Sequence, residues 1–285
     1  MSGMDAHLER LATPQGTPDI DERFIGGPDP RLWVADYLPH WTTPDRSAAR
    51  YGVLPGGGVE LRIDADQPDW RPEDAPLRVS NLQTGTYSGP VGSLRGTHRH
   101  RDDGLVVQTE TPRRLLWAPA GGRIDLTVSA SRDQDCMLAA WMVGTEHDGP
   151  DDSGEICIFE IDADAVGSQS VARSGVKSHH DPRLSTDMAD VLLPLDAGEP
   201  HTWSVVWGGG VTLIACEGVV MRRIRQAPSY PMFLMLDLFE IGGPSGEYPK
   251  RAAVHCVRGW DRSFRGKTGD MPGMHAGFAE TPGST

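Results

Sequence analysis

Apolar and polar residues alternate one by one in several stretches of the chain. Residues 59–63 and 124–128 place an apolar side chain at every second position, with polar residues between them. This period of two predicts half-buried strands, because successive side chains of a strand point to opposite faces. Stretches such as 136–143 and 231–236 are almost continuously apolar and predict buried strands. Helix-period stretches are scarce, so the pattern predicts an all-β protein.

Composition and length fit one large domain. The 285 residues include 34 glycines and 23 prolines, which favours many strands joined by turns. All-β sandwiches run to about 200–250 residues as a single unit. We expect a loose polar arm over residues 1–20, one domain over 21–265, and a disordered tail over 266–285.

Charge and cysteine usage restrict partners and compartment. The formal net charge of −13 disfavours nucleic acid and anionic membranes as partners, and anionic polysaccharides as well unless a local basic groove overrides the net charge. No leader-like segment begins the sequence and no apolar run has membrane-spanning length, so a cytoplasmic protein is expected, or a secreted one if its leader is missing from the sequence. The four cysteines lie far apart, three of them in strand-like apolar runs, which predicts free thiols of a reducing compartment. Nothing in the sequence sets the oligomeric state.

Two acids interrupt the apolar run at residues 155–161. Desolvating a carboxylate costs several kcal/mol, so Glu155 and Glu160 need either ion-pair partners or a function. Glu155 and Cys157 share one face of a strand, whereas Glu160, five residues on, faces away unless a β-bulge corrects the parity. With a bulge, the two carboxylates could converge to about 5–5.5 Å, the separation typical of a retaining glycosidase. A structural strand with two salt-bridged acids is the alternative.

The segment Glu155-Ile-Cys157-Ile-Phe-Glu160 resembles the E-x-D-x-x-E signature of glycoside hydrolase family 16, the laminarinase and lichenase group. Residues 201–236 resemble the family's F-H-T-Y-x-x-E-W…F-Y-V-D-G…P-M-x-L-x-L block, and 254–260 resemble its closing strand. The resemblance spans about residues 24–260. It implies a concanavalin A-like jelly roll of two sheets, with the cleft on a curved, concave sheet. It also implies that Glu155 is the nucleophile and Glu160 the general acid/base, with Cys157 at the motif's Asp position.

The resemblance implies further residues near a bound sugar. Ala139-Ala-Trp-Met142 is similar to the family's P-A-F-W-M, which places Trp141 beside the cleaved sugar, although a core tryptophan is the alternative. A family histidine near the cleft corresponds to either Lys177 or His179, and the sequence does not choose between them.

Three further residues are weaker candidates for substrate binding. Asn81 and Gln83 fall in a region that lines part of the cleft in the family, but amides that cap the backbone explain them equally well. Trp33 lies in an aromatic, proline-broken segment over residues 24–51, which we expect to lie across the sandwich. It could stack on a sugar, although covering a sheet edge is the commoner use of such a residue.

No cofactor and no metal site are expected. The acidic turn at 147–152 lacks the ligand ladder of a calcium loop, and the charge-dense stretch at 98–103 is interpreted as a solvated loop. In several family members an Asp of the closing strand helps to hold a structural calcium. His255 stands at that position here, which disfavours calcium.

The expected chemistry depends on how each carboxyl group is protonated. Ionised Glu155 is expected to raise the pKa of Glu160 by like-charge repulsion, so that Glu160 stays protonated as the acid. A thiol at Cys157 is a weaker hydrogen-bond partner for the nucleophile than the family's Asp.

Three functions therefore stay open. The first is a retaining endo-acting hydrolase or transglycosylase of β-glucan-like polysaccharide. The second is a catalytically silent, carbohydrate-binding jelly roll. The third is an intracellular protein that uses the cleft for a ligand other than a polysaccharide.

Overall fold

The alternating stretches form strands in the computed structural model, which describes residues 9–101 and 103–262. Helical structure in these ranges consists of α1 (Pro44–Ser47) and short 3-10 turns at Pro39–Trp41, Pro72–Asp74 and Ala163–Ala165. The strands are β1 (Ile20–Glu22), β2 (Arg50–Val53), β3 (Val59–Ile63), β4 (Leu77–Gln83), β5 (Gly85–Thr86), β6 (Arg114–Leu115), β7 (Gly122–Ser129), β8 (Cys136–Gly144), β9 (Glu155–Asp162), β10 (Ser170–Lys177), β11 (Asp187–Leu193), β12 (His201–Gly208), β13 (Val211–Cys216), β14 (Val219–Ile224), β15 (Met232–Ile241) and β16 (Lys250–Asp261).

These strands pair antiparallel into two large sheets. One has the order β14-β13-β12-β7-β16-β3-β2, with β1 also paired to β16. The other has six strands in the order β11-β10-β9-β8-β15-β4, and β5 and β6 form a small separate ribbon. Buried apolar side chains from both large sheets form one cluster, which we call the main core. The predicted all-β, two-sheet jelly-roll sandwich is confirmed.

The main core follows from the sequence period. In β3 and β7 every second side chain is buried and the others are partly exposed, as the alternating pattern predicts. β15 is apolar on both faces, and its residues at 232, 234, 236 and 238 point into the main core. Its other side chains must therefore be covered by something outside the sandwich.

A second apolar cluster covers part of the outer face of the six-stranded sheet, the face turned away from the main core. It contains the side chains at 233, 235 and 239 of β15, together with Val79 of β4 and Trp141 of β8. Tyr37 and Trp41 of the aromatic segment and Trp70 of a later loop pack onto them. The aromatic segment is thus ordered across the sheet, as expected. The outer face over β4 and β15 is filled with protein, whereas exposure increases toward β10.

Trp33 is not on the outer face, so the expectation that it binds sugar is wrong. It is 3 % exposed within the main core, its ring lies 5.7 Å from that of Phe24, and its Nε1 donates to Oε2 of Glu22 at 3.3 Å. Its indole is thus spent on packing and on an internal hydrogen bond.

The described part of the N-terminal arm is hydrogen-bonded to the larger sheet. Arg10 forms a β-bridge with Val219, and the backbone N–H of Asp19 donates to the carbonyl of Gly259. Residues 1–8 and the tail expected over 266–285 lie outside the described residues.

The four cysteines are free thiols, as predicted. Cys136, Cys157 and Cys216 are buried and Cys256 is half-buried. Within the described residues, no helix is long and apolar enough to cross a membrane.

Candidate active site

A β-bulge in β9 places Glu155, Cys157 and Glu160 on one face. Against β10, Cys157 pairs with Gly175 and Glu160 with Arg173, so three steps in β9 oppose two in β10. The neighbouring strand β8 shows the same shift, between Ala140 and Trp141. The extra residue lies at 158–159, where two consecutive side chains both enter the main core. The bulge predicted from the parity of the two acids is therefore present.

The two carboxylates converge on the outer face. Oxygens of Glu155 and Glu160 and the sulfur of Cys157 all lie within 4.8 Å of one another. The Glu155 side chain is 4 % exposed and that of Glu160 is 15 % exposed. Retaining glycosidases hold their two carboxyl groups about 5–5.5 Å apart, and two carboxylates this close are compatible with such a pair.

Both residues proposed for the family's histidine position contact the pair. Lys177 is the cross-strand partner of Glu155, and its Nζ lies 2.9 Å from Oε1 of Glu155 and 2.7 Å from Oε1 of Glu160. His179 Nε2 lies 2.7 Å from Oε2 of Glu155. Each oxygen of Glu155 thus has its own partner.

A second cation binds Glu160 from the solvent side. Arg173 Nε donates to Oε2 of Glu160 at 2.7 Å, and its NH2 nitrogen lies 3.3 Å from Oδ2 of Asp162. Burial by itself raises the pKa of Glu160, but the charge and hydrogen bond of Lys177, together with those of Arg173, outweigh it and hold that pKa below its ordinary value. The expected rise from Glu155 alone is wrong for this state, because Lys177, expected only near the cleft, and Arg173, not expected there, both bind Glu160.

Cys157 lies buried between the two acids. Its sulfur lies 3.7 Å from the backbone carbonyl of Arg173 and 0 % of the residue is exposed. Burial raises the pKa of the thiol well above its ordinary value, and the charges of Glu160 and Glu155 raise it further. Cys157 is therefore a neutral thiol and not a nucleophile, as the sequence predicts. His179, and not residue 157, supplies the side-chain hydrogen bond to Glu155.

Trp141 is fixed by a buried carboxyl group that the sequence analysis missed. Its Nε1 donates to Oδ2 of Asp237 at 2.5 Å, and Asn81 Nδ2 donates to Oδ1 of Asp237 at 2.7 Å. Burial raises the pKa of Asp237 to about 8 against the two hydrogen bonds, and the charge of Glu155 adds to the rise. Trp141 faces the same side as Cys157, its register partner, so it stands beside the pair. Asp237 is the one acid in the apolar run 232–239, and this pattern could have indicated the residue from the sequence.

Asn81 and Gln83 are structural in this arrangement. Asn81 is fully buried behind Trp141, and Gln83 Nε2 donates to the backbone carbonyl of Asp36, where it ties the aromatic segment to β4. The expectation that these two amides contact substrate is wrong: Gln83 fits the alternative of an amide that binds the backbone, whereas Asn81 donates to the Asp237 side chain and its Oδ1 has no partner among the described residues. Asn81 affects the site only through Asp237.

His98 belongs to the site, although its charged stretch was interpreted as a solvated loop. Its ring lies 4.8 Å from that of Trp141 and 5.1 Å from that of His179. Its backbone adopts a left-handed conformation (φ 57°), and its N–H donates to Oε1 of the buried Glu146 at 2.6 Å. Burial lowers the pKa of His98 well below its ordinary value, so the ring is neutral. The repeated histidines of the stretch were the available signal.

Two groups of side chains have metal-ligating atoms close together. One atom each from His98, Glu155 and His179 lie within 4.8 Å, as do those of Glu155, Cys157 and Glu160. Lys177 already supplies a positive charge to both carboxylates. The predicted absence of a metal site stays a prediction.

Several solved structures have a fold similar to that of this chain. The chain is similar to a GlcNAcα1-4Gal-releasing endo-β-galactosidase from Clostridium perfringens, with a TM-score of 0.76 and 21% identity over 91% of this chain and 67% of that chain. It is also similar to a non-specific endo-β-1,3(4)-glucanase of family 16 crystallised with oligosaccharide, with a TM-score of 0.61 and 15% identity over 90% of this chain and 98% of that chain. A third similar structure is a Bacillus licheniformis β-glucanase, with a TM-score of 0.56 and 14% identity over 87% of this chain and 100% of that chain.

This is the fold of glycoside hydrolase family 16 enzymes. The structural resemblance inferred from the motifs is thereby confirmed for the fold. No family model matches the chain and no curated protein matches it. At these identities, the activity has to be argued from the site itself.

Proposed function

We propose that the protein is a retaining, endo-acting glycoside hydrolase of β-linked polysaccharide. The observation that carries the proposal is the bulge-aligned pair, in which oxygens of Glu155 and Glu160 lie within 4.8 Å of each other. Bulges are over-represented next to active sites, where they re-aim a side chain, and a carboxylate turned into a partly buried position is costly unless it has a partner or a function. The similar structures include an endo-β-galactosidase and endo-β-glucanases, so β-linked galactans and glucans are the substrates to test.

Glu155 is the nucleophile and Glu160 the general acid/base. An oxygen of Glu155 attacks the anomeric carbon while Glu160 protonates the glycosidic oxygen, and the leaving sugar departs with that proton. Water then attacks the glycosyl-enzyme ester, gives its proton to Glu160 and releases Glu155 as a carboxylate. When a sugar hydroxyl replaces the water, the same steps give transglycosylation.

The neighbouring residues support these two roles. His179 orients the nucleophile through its hydrogen bond to Oε2, so that the other oxygen is directed toward Glu160. Trp141, held by Asp237, is a fixed aromatic wall beside the pair, but it is only 6 % exposed in the second apolar cluster, so at most an edge of its ring can reach a sugar.

A silent, carbohydrate-binding protein is the second candidate. The observation that favours it is Lys177, which forms an ion pair with both acids and so removes the proton donor. The absence of the family's Asp, with Cys157 in its place, points the same way.

The test is hydrolysis of β-1,3- and β-1,4-glucans and β-galactans by Glu155→Gln and Glu160→Gln variants. Each variant should lose at least about 10³-fold in kcat and keep the wild-type melting temperature. Asp164→Asn, which removes an exposed acid after β9, is the matched control and should retain activity. Unchanged turnover in both glutamine variants would contradict the assignment of Glu155 and Glu160 as the catalytic pair. If the wild type cleaves none of these glycans, the silent carbohydrate-binding protein is favoured.

Azide distinguishes the two roles. With an activated aryl glycoside, a Glu155→Gly variant should form the glycosyl azide of inverted configuration, because azide replaces the missing nucleophile. A Glu160→Gly variant should form the azide of retained configuration, because azide attacks the glycosyl-enzyme. The reverse pattern would exchange the assigned roles.

A further inference from the structure

The ammonium group of Lys177 lies where the reaction has to occur. Its Nζ is 2.9 Å from Glu155 Oε1 and 2.7 Å from Glu160 Oε1. A substrate needs its anomeric carbon at about 3 Å from the nucleophile and its glycosidic oxygen within hydrogen-bond reach of the acid. Because the two carboxylates are so close, any group that contacts an oxygen of Glu155 and an oxygen of Glu160 at the same time must occupy the same small space between them. The ammonium and the scissile bond therefore exclude each other.

Lys177 also sets the wrong protonation state for catalysis. While it lies between the acids, its charge and hydrogen bond favour ionised Glu160, which cannot donate a proton. When it moves away, Arg173 still binds Glu160, but burial and the repulsion between two nearby carboxylates favour a proton on one of them. Departure of Lys177 thus provides the space and removes the larger of the two cationic effects that keep Glu160 ionised.

An uncharged sugar gives Lys177 no new partner. The ammonium is partly desolvated, with 30 % of its side chain exposed, and losing two ion pairs at once is costly. Because part of the side chain is exposed, its flexible four-carbon stem can turn the ammonium group out toward solvent. A negative charge on the substrate, beside the scissile bond, would give the displaced ammonium a partner.

We propose that Lys177 is a charge gate: it occupies the reacting position in the unliganded enzyme, and a substrate with an anionic group next to its scissile bond draws it out. The proposal rests on the proposed glycosidase function and deepens it. It assigns the substrate to anionic β-glycans, in which a sulfate ester or a carboxylate supplies the charge, and it makes Lys177 a specificity-determining residue.

The kinetic test uses one glycan backbone in three forms: uncharged, 6-O-sulfated and oxidised to the 6-carboxylate. Wild-type kcat/KM should be at least tenfold higher on a charged form than on the uncharged one. Lys177→Met should reverse this preference, with at least tenfold more activity on the uncharged form. The charged form that is cleaved identifies sulfate or carboxylate as the source. Equal wild-type rates on all forms, or a Lys177→Met variant that loses activity on every form, would overturn the gate.

Arg173→Met is the matched control. It also removes a cation bound to Glu160, but it leaves Lys177 between the carboxylates. It should therefore not release activity on the uncharged form. If both variants release activity equally, loss of positive charge near Glu160 explains the effect and the gate is wrong.

A second readout does not need turnover. The chain contains only three lysines, Lys177, Lys250 and Lys267, so a protein labelled with [ε-13C]lysine gives three assignable signals. The sulfated or carboxylated oligosaccharide should shift the Lys177 signal, the uncharged one should not, and Lys250, which is fully buried elsewhere, should not respond. A charged glycan that binds without moving this signal overturns the gate. If no glycan is cleaved, the proposed function fails, whereas this signal still decides the gate.

Discussion

The imidazole Nε2 of His179 lies 2.7 Å from Oε2 of Glu155, on the carboxylate oxygen that Lys177 does not contact. The two oxygens of Glu155, the proposed nucleophile, are thereby distinguished: one contacts His179 and the other contacts Lys177, which also binds Glu160. In the proposed mechanism His179 takes the tuning role that the family resemblance assigns to an Asp at position 157. It comes from the segment after β10 and not from β9.

His179→Ala should lower kcat by about 10–10³-fold with little change in KM, because the nucleophile loses its orientation and a hydrogen bond. His179→Gln, which restores a polar partner, should recover part of the loss. Initial rates on the best glycan measure both. His180→Ala is the control for the loop, since His180 contacts the backbone carbonyl of Arg99. A rise in KM with kcat unchanged would contradict the orienting role.

Cys157→Asp should raise glycosidase activity, by about tenfold or more, if the protein is a weakened hydrolase. A carboxyl group at this buried position can share a proton with Glu155, which the thiol does poorly. Cys157→Ser controls for size and polarity without adding a titratable group and should give a smaller gain. No gain on β-1,3-glucans, β-1,4-glucans and galactans would favour the silent carbohydrate-binding protein.

Stability should fall as the pH rises from about 5 to 8. Asp237 has a pKa of about 8 in the folded protein against an ordinary value of 3.8, because burial disfavours its charge. Between these values the folded state holds a proton that the unfolded chain has released, so each pH unit lowers the free energy of unfolding by up to about 1.4 kcal/mol. Glu146, with a pKa raised by burial to about 8 from 4.5, adds a slope of the same sign.

Asp237→Asn should make this slope shallower by up to about 1.4 kcal/mol per pH unit, which corresponds to the one proton that Asp237 binds. The substitution can be accommodated because the Asn81 Oδ1 has no hydrogen-bond partner among the described residues and can accept from the new amide after a flip. Urea unfolding at several pH values measures the slope, and Asp190→Asn, which removes an exposed carboxylate from β11, is the control. A wild-type slope of zero between pH 5 and 8 would mean that Asp237 is ionised in the fold.

Local pattern predicted the parts of the site that lie on one strand. The parity of Glu155 and Glu160 required a bulge, and the structure contains it, because a side chain's face follows directly from counting along a strand. The neutral thiol of Cys157 followed from the two acids beside it. These inferences needed no knowledge of other strands.

Contacts between distant segments were not predictable in the same way. Whether Lys177 or His179 reaches Glu155 depends on the register of β10 against β9, and both do. The pKa of Glu160 was misjudged for that reason. His98 reaches the site through a backbone hydrogen bond to Glu146, 48 residues away, and Trp33 packs inward because Glu22 and Phe24 lie beneath it.

Gly175 provides a last test of how closely the site depends on strand packing. It lies in β10 opposite Cys157, and a Cβ added there would come within 2.0 Å of the backbone oxygen of Asp187 in β11. Backbone cannot yield as a flexible side chain can, so Gly175→Ala should cost about 1–3 kcal/mol of stability. Gly52→Ala in β2 meets only the Arg62 side chain at 3.9 Å and should be nearly neutral.

The same substitution should also weaken catalysis, because β10 carries both Lys177 and Arg173. Relieving the clash requires β10 and β11 to separate, which moves these cations relative to the carboxylates on β9. We expect a lower melting temperature together with a changed ratio of activity on charged and uncharged glycans. Loss of stability with an unchanged ratio would show that the carboxylate pair and its cations move as one unit, held by β9 and β10 without help from β11.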